Sequence, residues 1–341
     1  MEIKEKENLL HFLQQTLDLP DAPLELTQYK GGYSNLTYLL KVGEMEMVLR
    51  RPPLGKKISK AHDMIREFKI LEALQQAGYT KIPKPILSSE DESIIGAPFF
   101  LMEKVDGLIL RNKIPEGTNL SADYFRQLSK NTIDVLLDLH RLDLDHSGLG
   151  QMGKPEGFVE RQVGGWSQRY FNAKTDELKE MEQVSEWLQS NLPTNEHTAF
   201  IHNDFKYDNL VLNSSAQPDI RAVLDWEMAT VGDPLMDLGT SLAYWAEETD
   251  PAIMKGFNLT HPAGNFSRGD VIAYYASQSK LDLGNILFYY AFGVFKVGVI
   301  AQQIYKRYSE GFAADPRFAS LIHVTRTCGI TALNSIKTEK I

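Results

Sequence analysis

The run Phe200-Ile201-His202-Asn203-Asp204-Phe205-Lys206-Tyr207-Asp208-Asn209-Leu210-Val211-Leu212 sets a polar loop between two short apolar stretches. Its pattern is His-x-Asp, with an Asn five positions after the Asp, in a strand-loop-strand frame. An alcohol that attacks a phosphoryl group needs a carboxylate to orient it and accept its proton, and a neutral oxygen nearby to hold Mg²⁺. Asp204 fits the first role and Asn209 the second. Downstream, Ala222-Val223-Leu224-Asp225-Trp226-Glu227 ends an apolar strand at a carboxylate, which suits Asp225 as the principal metal ligand. A lone loop Asp most often caps a turn. The order and strand setting of these two favour chemistry instead. In the third run, Gly232-Asp233-Pro234-Leu235-Met236-Asp237-Leu238-Gly239, Asp237 either bonds the catalytic loop or caps the next helix, and a structural role is expected.

Working toward the N-terminus, Leu36 to Val42 and Met45 to Arg50 read as strands joined at Gly43-Glu44, a pair suited to a tight hairpin. Phe99 to Glu103 is another strand. Between them, Lys60 to Ala77 spaces its apolar residues helically and ends before Gly78. Glu67 falls within the apolar arc of that helix, where a carboxylate is costly unless a cation meets it. Arg50, at the end of its strand, is the natural partner. After Val105-Asp106-Gly107 the pattern turns helical, with Ser121 to Leu142 and Asp270 to Tyr308 prominent and short strands returning around residues 198–224. A small lobe of residues 1–104 and a larger one of residues 105–341 are expected.

In combination, His-x-Asp-x-x-x-x-Asn, Leu-Asp-Trp-Glu and Gly-Asp-Pro-x-x-Asp-Leu resemble the aminoglycoside phosphotransferase-like (choline-kinase-like) superfamily. Within it the chain most resembles the kinase-like domains carried by some acyl-CoA dehydrogenase fusion proteins. The resemblance runs from about Leu26 to Ala332. It implies an α+β, protein-kinase-like two-lobed fold, with a small antiparallel-sheet lobe holding one helix and a larger, mainly helical lobe. It implies ATP and Mg²⁺ as cofactors, Asp204 as catalytic base, Asn209 and Asp225 on metal, and His202 bracing the loop. Lys30-Gly31-Gly32-Tyr33-Ser34-Asn35 matches the family's phosphate loop, with Ser34 and Asn35 as contacts, although it lacks the G-x-G-x-x-G of protein kinases. Arg50 stands where protein kinases place a Lys, paired to Glu67. Backbone groups around Glu103 and Val105 are expected to meet adenine.

The 341 residues carry 43% hydrophobic and 24% charged residues and a net charge of -9, which gives no basic footprint for nucleic acid. The charged N-terminus lacks a secretory pattern, and the lone Cys328 cannot form an intrachain disulfide, so a cytoplasmic setting is expected. Ile286 to Ala301 is apolar but short for a bilayer span and is broken by Lys296, so a buried helix, not a membrane contact, is expected. Phe288, Tyr289, Phe292 and Phe295 are read as core.

The partner is a small-molecule acceptor, and charge discriminates among acceptors. A polycationic aminoglycoside would suit Asp208, Glu227, Glu247 and Glu248, whereas Arg50, Arg51, Lys56, Lys57 and Lys60 would suit an anion. The resemblance favours a hydroxy acid or its CoA ester. Gly164-Gly165-Trp166-Ser167-Gln168-Arg169-Tyr170 reads either as a lid with a flexible start or as a helix start with Trp166 in the core. Alternatives are an aminoglycoside kinase, a nucleotide-binding regulatory pseudokinase, or a metal-dependent hydrolase, the last lacking the usual His ligands.

Overall fold

The computed structural model describes residues 3–29, 35–53, 63–194, 196–313 and 315–341. Helix α1 (Ile3–Thr16) leads into strands β1 (Leu24–Gln28), β2 (Leu36–Val42) and β3 (Met45–Arg51). Helix α2 (Met64–Gln76), β4 (Pro85–Ser89), the single turn α3 (Glu92–Ile95) and β5 (Phe99–Glu103) complete this part. The strands form one antiparallel sheet in the order β1-β2-β3-β5-β4. The β2–β3 hairpin closes at Gly43, whose φ of 59° is the left-handed conformation that a glycine adopts without strain. Strand β2 alternates, burying Tyr38, Leu40 and Val42 under α1 residues Leu9 and Leu13. The opposite face of the sheet meets α2, which buries Phe68, Ile70, Leu71 and Leu74. Asp63 caps α2 by accepting from the Arg66 amide at 2.9 Å.

From residue 105 the chain is mainly helical. Helices α4 (Ala122–His140), α5 (Phe158–Ala173) and α6 (Lys179–Ser190) precede two short ribbons. Strand β6 (Ala199–Ile201) pairs with β9 (Thr230–Gly232), and β7 (Leu210–Leu212) pairs with β8 (Ile220–Val223). The His202–Asn209 motif occupies the β6–β7 connection, and Asp225 follows β8. Helices α7 (Pro234–Tyr244), α8 (Ala252–Lys255), α9 (Arg268–Ser279), α10 (Ile286–Ser309) and α11 (Leu321–Thr338) close the fold. The architecture is a two-lobed α+β fold, as expected.

Several local expectations are corrected. The small lobe holds α1 and α3 besides the expected helix, together with strands β1 and β4. The stretch from Asp270 to Tyr308 is two helices, interrupted at 280–285, where Lys280 adopts a left-handed cap with φ 60°. Helix α10 extends to Ser309 and is long and apolar enough to cross a bilayer, yet most of it lies inside the fold. Gly164 and Gly165 sit within α5 rather than at a flexible start. Phe288, Tyr289, Phe292 and Phe295 are core, as expected.

Helices α7 and α10 approach through two glycines. A Cβ on Gly239 would lie 2.2 Å from the Tyr289 carbonyl oxygen, and one on Gly293 would lie 2.3 Å from the Gly239 carbonyl oxygen. Backbone cannot yield as a flexible side chain does. Gly239→Ala is therefore expected to cost about 1–3 kcal/mol, the usual penalty for overpacking, and to lower the melting temperature accordingly. A melt matching the wild type would show that the helices can part.

Candidate active site

Three carboxylates gather around one buried arginine. At the end of β3, Arg50 donates from Nη1 to Glu67 Oε1 at 2.6 Å and from Nη2 to Asp225 Oδ1 at 3.1 Å. Glu227 Oε2 lies 3.7 Å from the same Nη2 and accepts from Asn35 Nδ2 at 2.7 Å. Burial opposes the charge on Arg50, but the three carboxylates override it and raise the guanidinium further above its ordinary value. Burial pushes the Glu67 carboxyl up while Arg50 pulls against it. For Asp225, burial is outweighed by Arg50, which holds the carboxyl below the usual range. Next to Glu67, Arg66 reaches across to the other lobe and donates to the Ala229, Met152 and Glu227 carbonyl oxygens at 2.6, 3.2 and 3.3 Å.

The loop after β6 is built by His202 and Asp237. Both are fully buried. His202 Nε2 lies 3.0 Å from the Leu224 carbonyl oxygen, which can only accept, so the proton sits on Nε2. Nδ1 is then free to accept the Asp204 amide at 3.2 Å. Asp237 accepts the His202 and Asn203 amides, both at 2.7 Å, and faces His140 Nε2 at 3.2 Å. Burial alone would raise the Asp237 carboxyl; the His140 bond and the loop amides hold it below the usual range. Asp237 thus bonds the loop, while Asp233 caps α7 through the Leu235 amide at 2.8 Å.

These bonds hold Asn203 and Asp225 in left-handed backbone conformations, with φ of 66° and 68°. Such geometry costs a non-glycine residue about 1–2 kcal/mol and persists only where the surroundings enforce it. Lys206, paired with Asp204, also acts electrostatically on Asp225. Asn209 Nδ2 donates to the Asp204 carbonyl oxygen at 2.9 Å and to Asp204 Oδ2 at 3.0 Å. With its amide nitrogen so fixed, Asn209 keeps its Oδ1 as an acceptor that could meet a cation. Asp225 retains 36% of its side-chain surface and one carboxylate oxygen beyond the Arg50 bond.

Two lysines that the sequence reading did not assign a role stand near Asp204, and one of them shares the Trp166 ring with Arg169 of the lid candidate. Lys206 Nζ lies 3.2 and 3.0 Å from the two Asp204 oxygens and 4.5 Å from the centre of the Tyr244 ring. Its place two residues after Asp204 was visible in the motif. Lys296, 2% exposed, donates to the Asn203 carbonyl oxygen at 2.6 Å and sits 5.6 Å from the Trp166 ring. Burial lowers it to about 8. Arg169 lies over the same ring at 4.5 Å. The interruption of an apolar run by Lys296 was the only signal for it in the sequence.

The remaining assignments are distributed as follows. Ser34 and Lys56, Lys57 and Lys60 lie outside the described residues. The Asn35 amide reaches Glu227. Glu103 ends β5 with its N–H given to the Lys84 carbonyl oxygen at 2.8 Å, so it cannot donate that N–H to a base. No backbone hydrogen bond is formed by Val105 among the described residues. The carboxylates considered for a polycation are dispersed. Glu247 and Asp250 converge on Arg268, at 3.7 and 2.6 Å, and Glu248 faces Lys255 at 3.6 Å.

A sheet-borne cation paired to a helix Glu, set against a helical lobe with an Asp-bearing loop, defines a kinase-like phosphotransferase. The model of the phosphotransferase enzyme family matches residues 25–261, and the chain belongs to that family. Acyl-CoA dehydrogenase family member 11 of Homo sapiens is 38% identical over 295 residues, 85% of this chain but 37% of that protein. The chain therefore spans little more than a third of that relative. Among solved structures, a Ralstonia eutropha chain named as a candidate aminoglycoside phosphotransferase is 28% identical, with a TM-score of 0.82 over 97% of this chain and 98% of that one. Choline kinase from Cryptosporidium parvum, 13% identical, shares the fold at a TM-score of 0.62 over 97% of this chain and 98% of its own.

Proposed function

We propose that this protein moves the γ-phosphoryl group of ATP, with Mg²⁺, to the hydroxyl of a small anionic acceptor, a hydroxy acid or its CoA ester. The observation that carries this reading is the convergence of Arg50, Glu67 and Asp225 from one side and Asn209 and Asp204 from the other. Residues 1–104 would clamp the nucleotide, and residues 105–341 would carry the catalytic loop and the acceptor.

Asp204 would orient the acceptor hydroxyl and take its proton as the new P–O bond forms. Lys206 would release the Asp204 carboxylate and meet the charge of the transferred phosphoryl. Arg50 would hold the α- and β-phosphates while Glu67 fixes its direction. Val105, with its backbone groups unspent, is the better placed of the two hinge residues for adenine. The donor set suits a hard cation: Asn209 Oδ1 and Asp225 would hold Mg²⁺, and the nucleotide phosphates would complete its shell. Among the described residues no group of three or more His, Cys, Asp or Glu gathers as a metal site, which is in keeping with a cation carried mainly by phosphate oxygens. When bound, it would neutralise the β- and γ-oxygens.

Two observations support an anionic acceptor. Of the carboxylates considered for a polycation, Glu247, Glu248 and Glu227 are already engaged by Arg268, Lys255, and Arg50 with Asn35, which leaves Asp208 alone for a cation. The curated relatives carry acyl-CoA dehydrogenase names. The test is a metabolite-library reaction with Mg-ATP, read by mass for the gain of one phosphoryl group. Hydroxy acids or their CoA esters should gain it only with Asp204 intact. ADP binding with no phosphorylated acceptor would favour a regulatory module, and release of phosphate alone would favour a hydrolase.

A further inference from the structure

Lys206 has Asp204 as its counter-charge. Lys296 and Arg169 have no carboxylate within ion-pair distance among the described residues. Lys296 is buried; its Nζ donates to the uncharged Asn203 carbonyl oxygen and lies 5.6 Å from the centre of the Trp166 ring, while the Asp204 and Asp237 charges act on it from beyond ion-pair distance. A buried ammonium group with no anion in direct contact is expensive, and burial lowers Lys296 despite those two carboxylates, which leaves room for a further anion. Arg169 lies 4.5 Å from the centre of the same indole, so one ring meets two cations, Lys296 from the interior and Arg169 from the exposed side of α5. The three residues come from α5 and α10, and the Lys296 bond to the Asn203 carbonyl oxygen ties them to the residue before Asp204.

We propose that Trp166, Arg169 and Lys296 form the binding site for an anionic group of the acceptor, placing its hydroxyl against Asp204. This rests on the phosphotransfer reading above and names the acceptor subsite within it. The anion is either the carboxylate of a hydroxy acid or a phosphate of its CoA ester. A guanidinium fork and an ammonium group suit both, and Trp166 supplies an apolar wall for the carbon chain. The glycines at 164 and 165 leave open space beside Trp166, since a Cβ on either would meet nothing within 4 Å.

The experiment uses the full chain without nucleotide and follows Trp166 fluorescence, with Trp166→Phe to assign the signal. The probes are 3-hydroxybutanoate, 4-hydroxypentanoate, their methyl esters and their CoA esters. An acid or a CoA ester should bind, and Arg169→Gln and Lys296→Met should each weaken it by about tenfold or more, the loss of one charge-assisted contact. Lys296→Met relieves a buried charge but also removes the donor to the Asn203 carbonyl oxygen, so its melt is measured beside its binding; Arg169→Gln, on the surface, tests the site independently. Which probe responds tells carboxylate from phosphate. Methyl esters that bind as well as the acids overturn the proposal. So does a loss of ADP affinity in both variants with acid and CoA-ester binding unchanged, since the cations would then serve the nucleotide. Charge-dependent binding without phosphorylation would sink the kinase reading and keep the subsite. Asp204-dependent phosphorylation of a neutral acceptor, untouched by either substitution, would do the reverse.

Discussion

Asp204→Asn is expected to lower kcat by about 10²- to 10⁴-fold, the range that a positioned general base supplies. The substitution is nearly isosteric, and the Asn oxygen can still accept from the Asn209 amide that now lies 3.0 Å from Oδ2. The His202 and Asp237 bonds to the loop backbone do not involve the 204 side chain, so the loop should keep its shape. ATP should therefore still bind, and the loss should appear in turnover rather than in the KM for nucleotide. Turnover within tenfold of wild type would remove Asp204 from the role of base.

Arg50→Met should have the largest effect on stability. It leaves Glu67 buried in α2 without its cation and takes from Asp225 the donor that holds its carboxyl low. Removing one member of a buried pair costs about 3–5 kcal/mol because the other charge stays behind. The deficit should depend on pH. An unfolded Glu titrates near about 4.3, and burial without Arg50 raises Glu67 in the folded variant. The folded variant then binds a proton that the unfolded chain has released, so its stability is greatest below the unfolded value and falls as pH rises through the folded one. Denaturant melts should show a larger deficit against wild type at pH 8 than at pH 5. Adding Glu67→Gln should flatten that slope and recover part of the loss, and a slope that persists in the double variant would place its origin elsewhere.

The grouping of Arg50 with Glu67, and of Asp204 with Asn209, was legible because these residues sit in short, ordered motifs. Glu67 announced itself as a carboxylate in an apolar helical arc, and the structure places it 2.6 Å from Arg50. The part of Asp225 in that pair was not legible, because its reach depends on a left-handed φ that no spacing rule encodes. Strands β1 and β4 escaped notice for a different reason. Both are short, and β1, at the sheet edge, buries little, so neither shows a strong alternation. Gly164-Gly165 suggested a helix boundary, but packing of Val163, Trp166 and Tyr170 carries α5 straight through them. The cationic cluster near Asp204 draws on residues far apart in the chain. Only the tertiary fold brings α5 and α10 together there.

The contact between Gly239 and Gly293 bears on how such an enzyme could be repurposed. Lys296 follows Gly293 by one helical turn, and Asp237 precedes Gly239 by two residues, so the same crossing sets the depth of the ammonium group and the height of the catalytic loop. Neither glycine leaves room for a side chain, which makes this crossing a poor place to introduce diversity. Helix α5 offers the opposite case, with Arg169 exposed and Gly164 and Gly165 facing open space. A library built to change acceptor choice should therefore vary residues 164–169 and leave α7 and α10 as the fixed frame.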